Sequence, residues 1–179
     1  MSAASFRIAL LSDAAHDRSV FASGSAPLDR YFRETVTQDV RRRVATCFVA
    51  LTDDDRIAGY YTLSTAAVLL DELPETTTKK LPRYPTVPAI RMGRLAVDQA
   101  FRGRGLGGAL VADALERGMN AEIAAFAMVI DAKDAQAAAF YQHLGFISLP
   151  SNPLTLFLPF ATVAAAKQAA RQAQKRPAK

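Results

Sequence analysis

Arg94-Leu-Ala-Val-Asp98, followed by Arg102-Gly-Arg-Gly-Leu-Gly-Gly108, reads as the end of a strand, a glycine-rich turn and the opening of a helix. The strand covers Ile90–Val97, and the helix carries Leu106, Leu110, Val111 and Leu115 at helical spacing. A helix entered this way presents N–H groups that have no partner inside it, at the positive end of its macrodipole, which is the physics of an anion site. Glycines at 103, 105, 107 and 108 let the backbone approach a phosphate closely. The same glycines also fit a tight strand-to-helix connection that binds nothing. Spacing excludes two common phosphate loops. No Gly-Lys-Ser/Thr follows, so the turn is not a P-loop, and the last interval of the dinucleotide fingerprint is missing together with its strand-end acid.

Upstream of the turn, Phe6–Leu11 is a short apolar run suited to a strand, with Ser12 and Asp13 able to cap a helical turn after it. Pro27 fits a first helical turn, and Leu28, Tyr31, Phe32, Val36 and Val40 continue an amphipathic helix that ends in Arg41–Arg43. Ala45–Leu51 and Ile57–Thr65 are β-rich and flank the acidic turn Asp53–Asp55, which predicts a hairpin. Between Leu73 and Pro88 four prolines and a Thr/Lys cluster favour an irregular, substrate-facing connection. Downstream, Phe126–Ile130 is a buried strand, Asp134–Leu144 a helix closed by Gly145, and Ile147–Leu149 and Leu154–Phe160 two further strands.

The length of 179 residues suits one domain, assigned to positions 1–160, and half the residues are hydrophobic, as in a folded globular protein. The net charge of +5 is not a property of that domain. It is carried by Lys167, Arg171, Lys175, Arg176 and Lys179 in the acid-free segment 161–179, whose Ala/Gln/Lys/Arg composition predicts a frayed helix or a disordered tail. One cysteine, Cys47, rules out an internal disulfide, and with only His16 and His143 beside it the chain has little from which to build a zinc centre; no metal is expected. No charged region precedes an apolar stretch at the N-terminus, and no run reaches the length of a membrane span, so a cytoplasmic protein without membrane association is expected.

The spacing Arg102-x-x-Gly105-x-Gly107 after Arg94-Leu-Ala-Val-Asp98 resembles the pyrophosphate motif of the GNAT acyl-CoA N-acetyltransferases. Ala137-Ala-Ala-Phe-Tyr141-Gln-His-Leu-Gly-Phe146 resembles the helix and strand with which that family closes its acyl-CoA cleft. Further segments, Gly24-Ser-Ala-Pro-Leu-Asp-Arg-Tyr-Phe32, Arg41–Arg43 before Thr46-Cys-Phe-Val-Ala50, and Ile57-Ala-Gly-Tyr-Tyr61, are similar to one GNAT subgroup, the toxins of bacterial toxin–antitoxin pairs. The likeness spans about residues 5–160. It implies an α+β fold with a central mixed, twisted sheet flanked by helices, whose splayed parallel strands form an acetyl-CoA cleft. It also implies acetylation of the α-amine of aminoacyl-tRNA, arrest of translation, a cognate ribbon-helix-helix antitoxin, and a homodimer in contact through Leu154–Phe160.

On this resemblance the backbone of Leu95, Ala96 and Val97 holds the pantetheine arm, and the Val97 N–H faces the thioester oxygen. Arg102, Gly103, Arg104, Gly105, Leu106, Gly107 and Gly108 hold the diphosphate. Tyr141 delivers a proton to the departing thiolate. The side chains of Leu95 and Val97 read as ordinary core, which is compatible with that backbone role; the plain alternatives for the others are solvated arginines on a turn and an ordinary rim tyrosine. His143 reads as a surface or packing residue, and Cys47 as a small buried hydrophobe. Candidate RNA contacts are Arg41, Arg42, Arg43, Lys79, Lys80, Arg83, Arg91 and Arg94, together with the tail.

No Asp or Glu occurs in Ile90–Val97 to serve as a general base. A lysine amine, with a pKa of about 10.4, needs such help far more than an α-amine at about 7.7–8.0. The gap leans toward an α-amine acceptor, although Asp98 or a carboxylate from elsewhere would undo it. A GNAT that acetylates a protein N-terminus, a lysine or a small amine is the alternative enzyme, and a non-catalytic partner-binding module the alternative class.

Overall fold

The computed structural model describes residues 5–175. In chain order the elements are β1 (Arg7–Leu10), α1 (Ala26–Arg30), a π-helical turn (Tyr31–Thr35), α2 (Val36–Arg41), β2 (Thr46–Leu51), β3 (Ile57–Leu69), a 3-10 turn (Leu70–Glu72) and α3 (Glu75–Thr78). They continue with β4 (Thr86–Val97), a second 3-10 turn (Gln99–Phe101), α4 (Leu106–Met119), β5 (Ala127–Asp131), α5 (Ala135–His143), β6 (Ile147–Ser148), β7 (Thr155–Pro159) and α6 (Phe160–Lys175). The strands form one mixed sheet in the order β1-β2-β3-β4-β5-β7-β6. The α+β reading stands.

Two compact units divide the chain. The first takes in residues up to Ser64 and Met92–Ala114; the second takes in Thr65–Arg91 and the residues from Leu115 onward.

In the first unit, β2 pairs antiparallel with β1 and β3, in register Cys47↔Thr62 and Val49↔Tyr60 on the β3 side. From Cys47 to Leu51 every residue is buried, so β2 reads as an unbroken apolar run and not as an alternating one. Cys47 is 1% exposed, and burial pushes its thiol up to about 12. It is the small buried hydrophobe expected. Phe32 stacks on Tyr60 at 4.1 Å and Phe21 meets both edge-on, which fastens the α1–α2 helical segment to β3. On the α4 side, the Tyr61 hydroxyl donates to the carboxylate of Asp113.

In the second unit, Val68, Leu73, Val87, Ala89, Ala127, Val129, Leu149 and Phe157 form the core. Asp134 caps α5 through the Ala137 N–H at 2.8 Å. At the other end Gly145, with φ +99°, lets its own N–H reach the Gln142 carbonyl and the Phe146 N–H reach the Tyr141 carbonyl, a Schellman closure.

Several expectations need correction. β3 and β4 are longer than Ile57–Thr65 and Ile90–Val97, because β4 begins four residues earlier, at Thr86. The connection from Leu73 to Pro88 contains α3 and the start of β4, so it is not wholly irregular. The helix predicted through Arg43 stops at Arg41, with Arg43 left-handed at φ +58°. Of the two readings of segment 161–179, the helix stands for 161–175, with Phe160 buried at its root and Lys167 paired with Glu116 at 3.2 Å. Arg176 and Lys179 lie outside the described residues. β7 is paired along its length with β5 and at Leu156 and Phe157 with β6; Leu156, Phe157 and Leu158 are buried, and Leu154 before the strand is exposed.

Gly59 sets the spacing between β3, β4 and α4. A Cβ there would lie 2.9 Å from Leu110 Cδ1 and 3.0 Å from the Ala96 carbonyl oxygen. Gly59→Ala should therefore destabilise the protein by about 1–2 kcal/mol: overpacking of about 1–3 kcal/mol outweighs the roughly 0.5–1 kcal/mol that alanine gains over glycine in a strand. Chemical denaturation of the two proteins measures this.

Candidate active site

The strand-turn-helix stretch is built as its sequence predicts, and its foundation is Asp98. This carboxylate, 3% exposed, accepts from the N–H groups of Ala22 (3.1 Å) and Ala100 (2.9 Å) and from Arg56 (3.4 Å). Its own N–H donates to the Ala58 carbonyl at 2.9 Å. Asp98 therefore caps the 3-10 turn and anchors the end of β4. Both of its oxygens take part in that anchoring.

Beyond that turn, Gly103 and Gly105 adopt φ values of +73° and +75°, a region where L side chains are strained. A Cβ at either glycine would meet no atom within 4 Å, so the concave side of the turn opens outward. Where the turn enters α4, the Ala109 N–H donates to the Gly105 carbonyl at 3.1 Å. The N–H groups of Leu106, Gly107 and Gly108 precede that bond, and no acidic side chain sits in the first turn of α4. Open glycines, leading amides and the absence of a competing carboxylate suit the diphosphate of acetyl-CoA.

The two arginines of the turn point elsewhere. Arg102 donates to the Ser23 carbonyl, and Ser23 is in turn held by the buried Asp29, which accepts from its N–H at 2.8 Å and its hydroxyl at 2.6 Å. Arg104 lies over the Phe101 ring at 5.4 Å, with Arg56 over the same ring at 5.0 Å. Both turn arginines are exposed. On β4, Ala96 is buried, whereas Leu95 and Val97 are only half-buried, which corrects the expectation that their side chains are ordinary core. The strand alternates, and Leu95 and Val97 occupy the less covered face.

Tyr141 belongs to the second unit. It is 8% exposed, edge-on to Phe140 and Phe146, with its phenol pushed up to about 12 by burial. It keeps its proton throughout the neutral range. His143 is exposed, as expected.

The candidate RNA-contacting cations divide into two groups. Arg41 pairs with Asp13 at 3.6 Å, Lys79 with Glu75 at 3.2 Å, and Arg91 with Asp131. Arg42, Arg43, Lys80 and Arg83 are exposed and, among the described residues, have no ion-pair partner. Arg94 is exposed and stacks on Tyr31, an arrangement not foreseen from sequence. The segment expected to face substrate lines a cavity of about 620 Å³ in the second unit, with Leu70, Leu73, Arg83 and Tyr84 on its walls.

Comparison with known proteins agrees with this geometry. The profile of the acetyltransferase (GNAT) family matches residues 11–146. A probable toxin TacT of Sinorhizobium fredii is 30% identical over 83% of this chain and 87% of its own, and a tRNA-acetylating toxin of Mycobacterium tuberculosis is 36% identical over 80% and 86%. Among solved structures, AtaT complexed with acetyl-methionyl-tRNAfMet superposes with a TM-score of 0.83 at 28% identity, covering 90% of this chain and 99% of that one. AtaTR bound with AcCoA gives 0.78 at 26%, and an AtaT mutant toxin bound to the C-terminus of the antitoxin AtaR gives 0.76 at 25%; each covers 90% of this chain and 97% of the other.

Gly105→Ala puts a Cβ into the open turn and forces a left-handed alanine, at about 1–2 kcal/mol. Acetyl-CoA affinity should fall about tenfold or more in a calorimetric titration, that strain being worth roughly a decade in binding. An unchanged affinity would remove the turn from the coenzyme site.

Proposed function

The chain belongs to the acetyltransferase (GNAT) family and is an N-acetyltransferase; from this premise we propose that it moves the acetyl group of acetyl-CoA onto the α-amine of an aminoacyl-tRNA and so arrests translation. An acetylated α-amine has its lone pair delocalised into an amide and cannot attack a peptidyl ester. Acetyl-CoA supplies the activated acyl group. The protein's part is to hold the diphosphate on the amides of Gly103 to Gly108, to align the thioester along the backbone of Leu95, Ala96 and Val97, and to protonate the departing sulfur from the Tyr141 hydroxyl.

One observation carries the choice of acceptor: β4 has no carboxylate along its length, and the Asp98 that follows is occupied by Ala22, Ala100 and Arg56. An acceptor must then be substantially neutral on its own, as an α-amine at about 7.7–8.0 is and a lysine at about 10.4 is not. The tRNA-acetylating relative and the tRNA-bound AtaT support the same reading. Exposed Arg42, Arg43, Lys80 and Arg83 offer phosphate contacts, joined by Arg171 and Lys175 on α6.

The same reading extends to partners. The antitoxin complex of AtaT supports a cognate antitoxin here; that it is of the ribbon-helix-helix type is part of the same proposal. A homodimer belongs to the proposal too, with the exposed Leu154 end of Leu154–Phe160 as its candidate contact. Charged tRNA places the action in the cytoplasm. Among the described residues no helix is long and apolar enough to cross a membrane.

Labelled acetyl-CoA, offered with charged and uncharged tRNA, should label the charged form alone; label on protein or small amines would favour the other acceptors. Tyr141→Phe should lower kcat about 10²–10⁴-fold, the usual span for a lost general acid. Because the phenol titrates only near 12, the rate should climb as the α-amine deprotonates through about pH 8 and then stay level, with no fall from tyrosine ionisation below about pH 11. Replacing both Arg171 and Lys175 with Gln should reduce the salt slope of tRNA binding by about 0.7–0.9 for each phosphate that is no longer neutralised. An unaltered slope would take α6 out of the interface.

A further inference from the structure

We propose that Arg94 is the stacking platform for the terminal nucleobase of the acceptor tRNA, an inference that rests on the aminoacyl-tRNA reading above. The guanidinium carbon of Arg94 lies 3.5 Å from the centre of the Tyr31 ring, close enough for face-to-face stacking. Tyr31 is 6% exposed and fixed at its far end by a 2.9 Å hydrogen bond from its hydroxyl to the Asp39 carboxylate. Arg94 is exposed and, among the described residues, makes no ion pair. One face of the guanidinium is thus occupied by a held ring, and the other is turned to solvent. A planar cation kept flat in this way is the surface on which an unstacked base settles, gaining about 1–3 kcal/mol.

The backbone beneath supports the same assignment. Tyr31 opens the π-helical turn Tyr31–Thr35, the kind of irregularity that is concentrated at functional sites. The helical segment thereby departs from regular hydrogen bonding at the residue that presents its ring to Arg94.

Chain order along β4 identifies whose base it is, since both substrates contain adenine. The coenzyme runs from adenine through diphosphate to thioester, and its diphosphate belongs at Gly103 to Gly108, after the strand. Its thioester end reaches back toward Leu95–Val97, with its adenine beyond the turn in the opposite direction. Arg94 lies about 10 Å before Val97 along the strand, on the side away from the turn. The base that arrives there is the acceptor's.

The test compares two minimal acceptors, a 3′-aminoacyl-adenosine and the methyl ester of the same amino acid, with wild type, Arg94→Lys and Arg94→Ala, each checked for an unchanged melting temperature. Wild type should favour the nucleoside, and both variants should lose about tenfold of that preference in kcat/KM, the size of one base stack. Lysine keeps the charge but not the plane, so full preference in Arg94→Lys would overturn the proposal. A rise confined to the KM for acetyl-CoA would also overturn it, assigning the platform to the coenzyme. If wild type acetylates neither minimal acceptor nor charged tRNA, the aminoacyl-tRNA reading itself fails; if it acetylates charged tRNA while its minimal-acceptor preference is absent, only the Arg94 platform fails.

Discussion

A carboxylate removed from water must be supplied with donors, and in this protein that requirement organises the end of β4 in the first unit. Asp98 takes two backbone N–H groups, from Ala22 and Ala100, and the guanidinium of Arg56, while its own amide is pinned to β3 through Ala58. The end of β4, the loop at residue 22 and the 3-10 turn before the glycines are thereby joined at one residue. The Gln99 N–H returns a bond to the Ala22 carbonyl, so the loop is held from both directions. The 3-10 turn that leads to the glycines starts from this point.

The glycines are placed where that scaffold needs them. Left-handed geometry at 103 and 105 turns the chain from the 3-10 turn into α4, and the absence of a Cβ at the same two positions leaves the amides accessible. Arg102 donates to the Ser23 carbonyl, and Arg104 lies over the Phe101 ring.

Much of this was legible in the sequence because the signals are local. Arg102-x-x-Gly105-x-Gly107, the closure of α5 by Gly145 and the acidic hairpin turn each depend on residues a few positions apart, and each stands where it was expected. What escaped was set by distant partners. The length of β4 beyond Ile90 is fixed by cross-strand pairing that tolerates Pro88, whose missing N–H would argue against a strand in isolation. Arg91 and Arg94 look alike in sequence, yet one is neutralised by Asp131 and the other lies on Tyr31. The commitment of Asp98 to Ala22, 76 residues away, leaves no trace in any local pattern. The alanine-rich end of the chain left helix and disordered tail both open because nothing nearby announces Phe160 as its anchor.

Cys47 is the protein's only thiol, and it sits 1% exposed near the start of β2, protonated well past neutrality. Sulfur in that condition neither oxidises nor alkylates readily. The enzyme should therefore work alike under reducing and oxidising stress. Any irreversible capture of the sulfur by a maleimide would record a moment when the strand had come apart, so that one atom keeps a count of how often the sheet breathes.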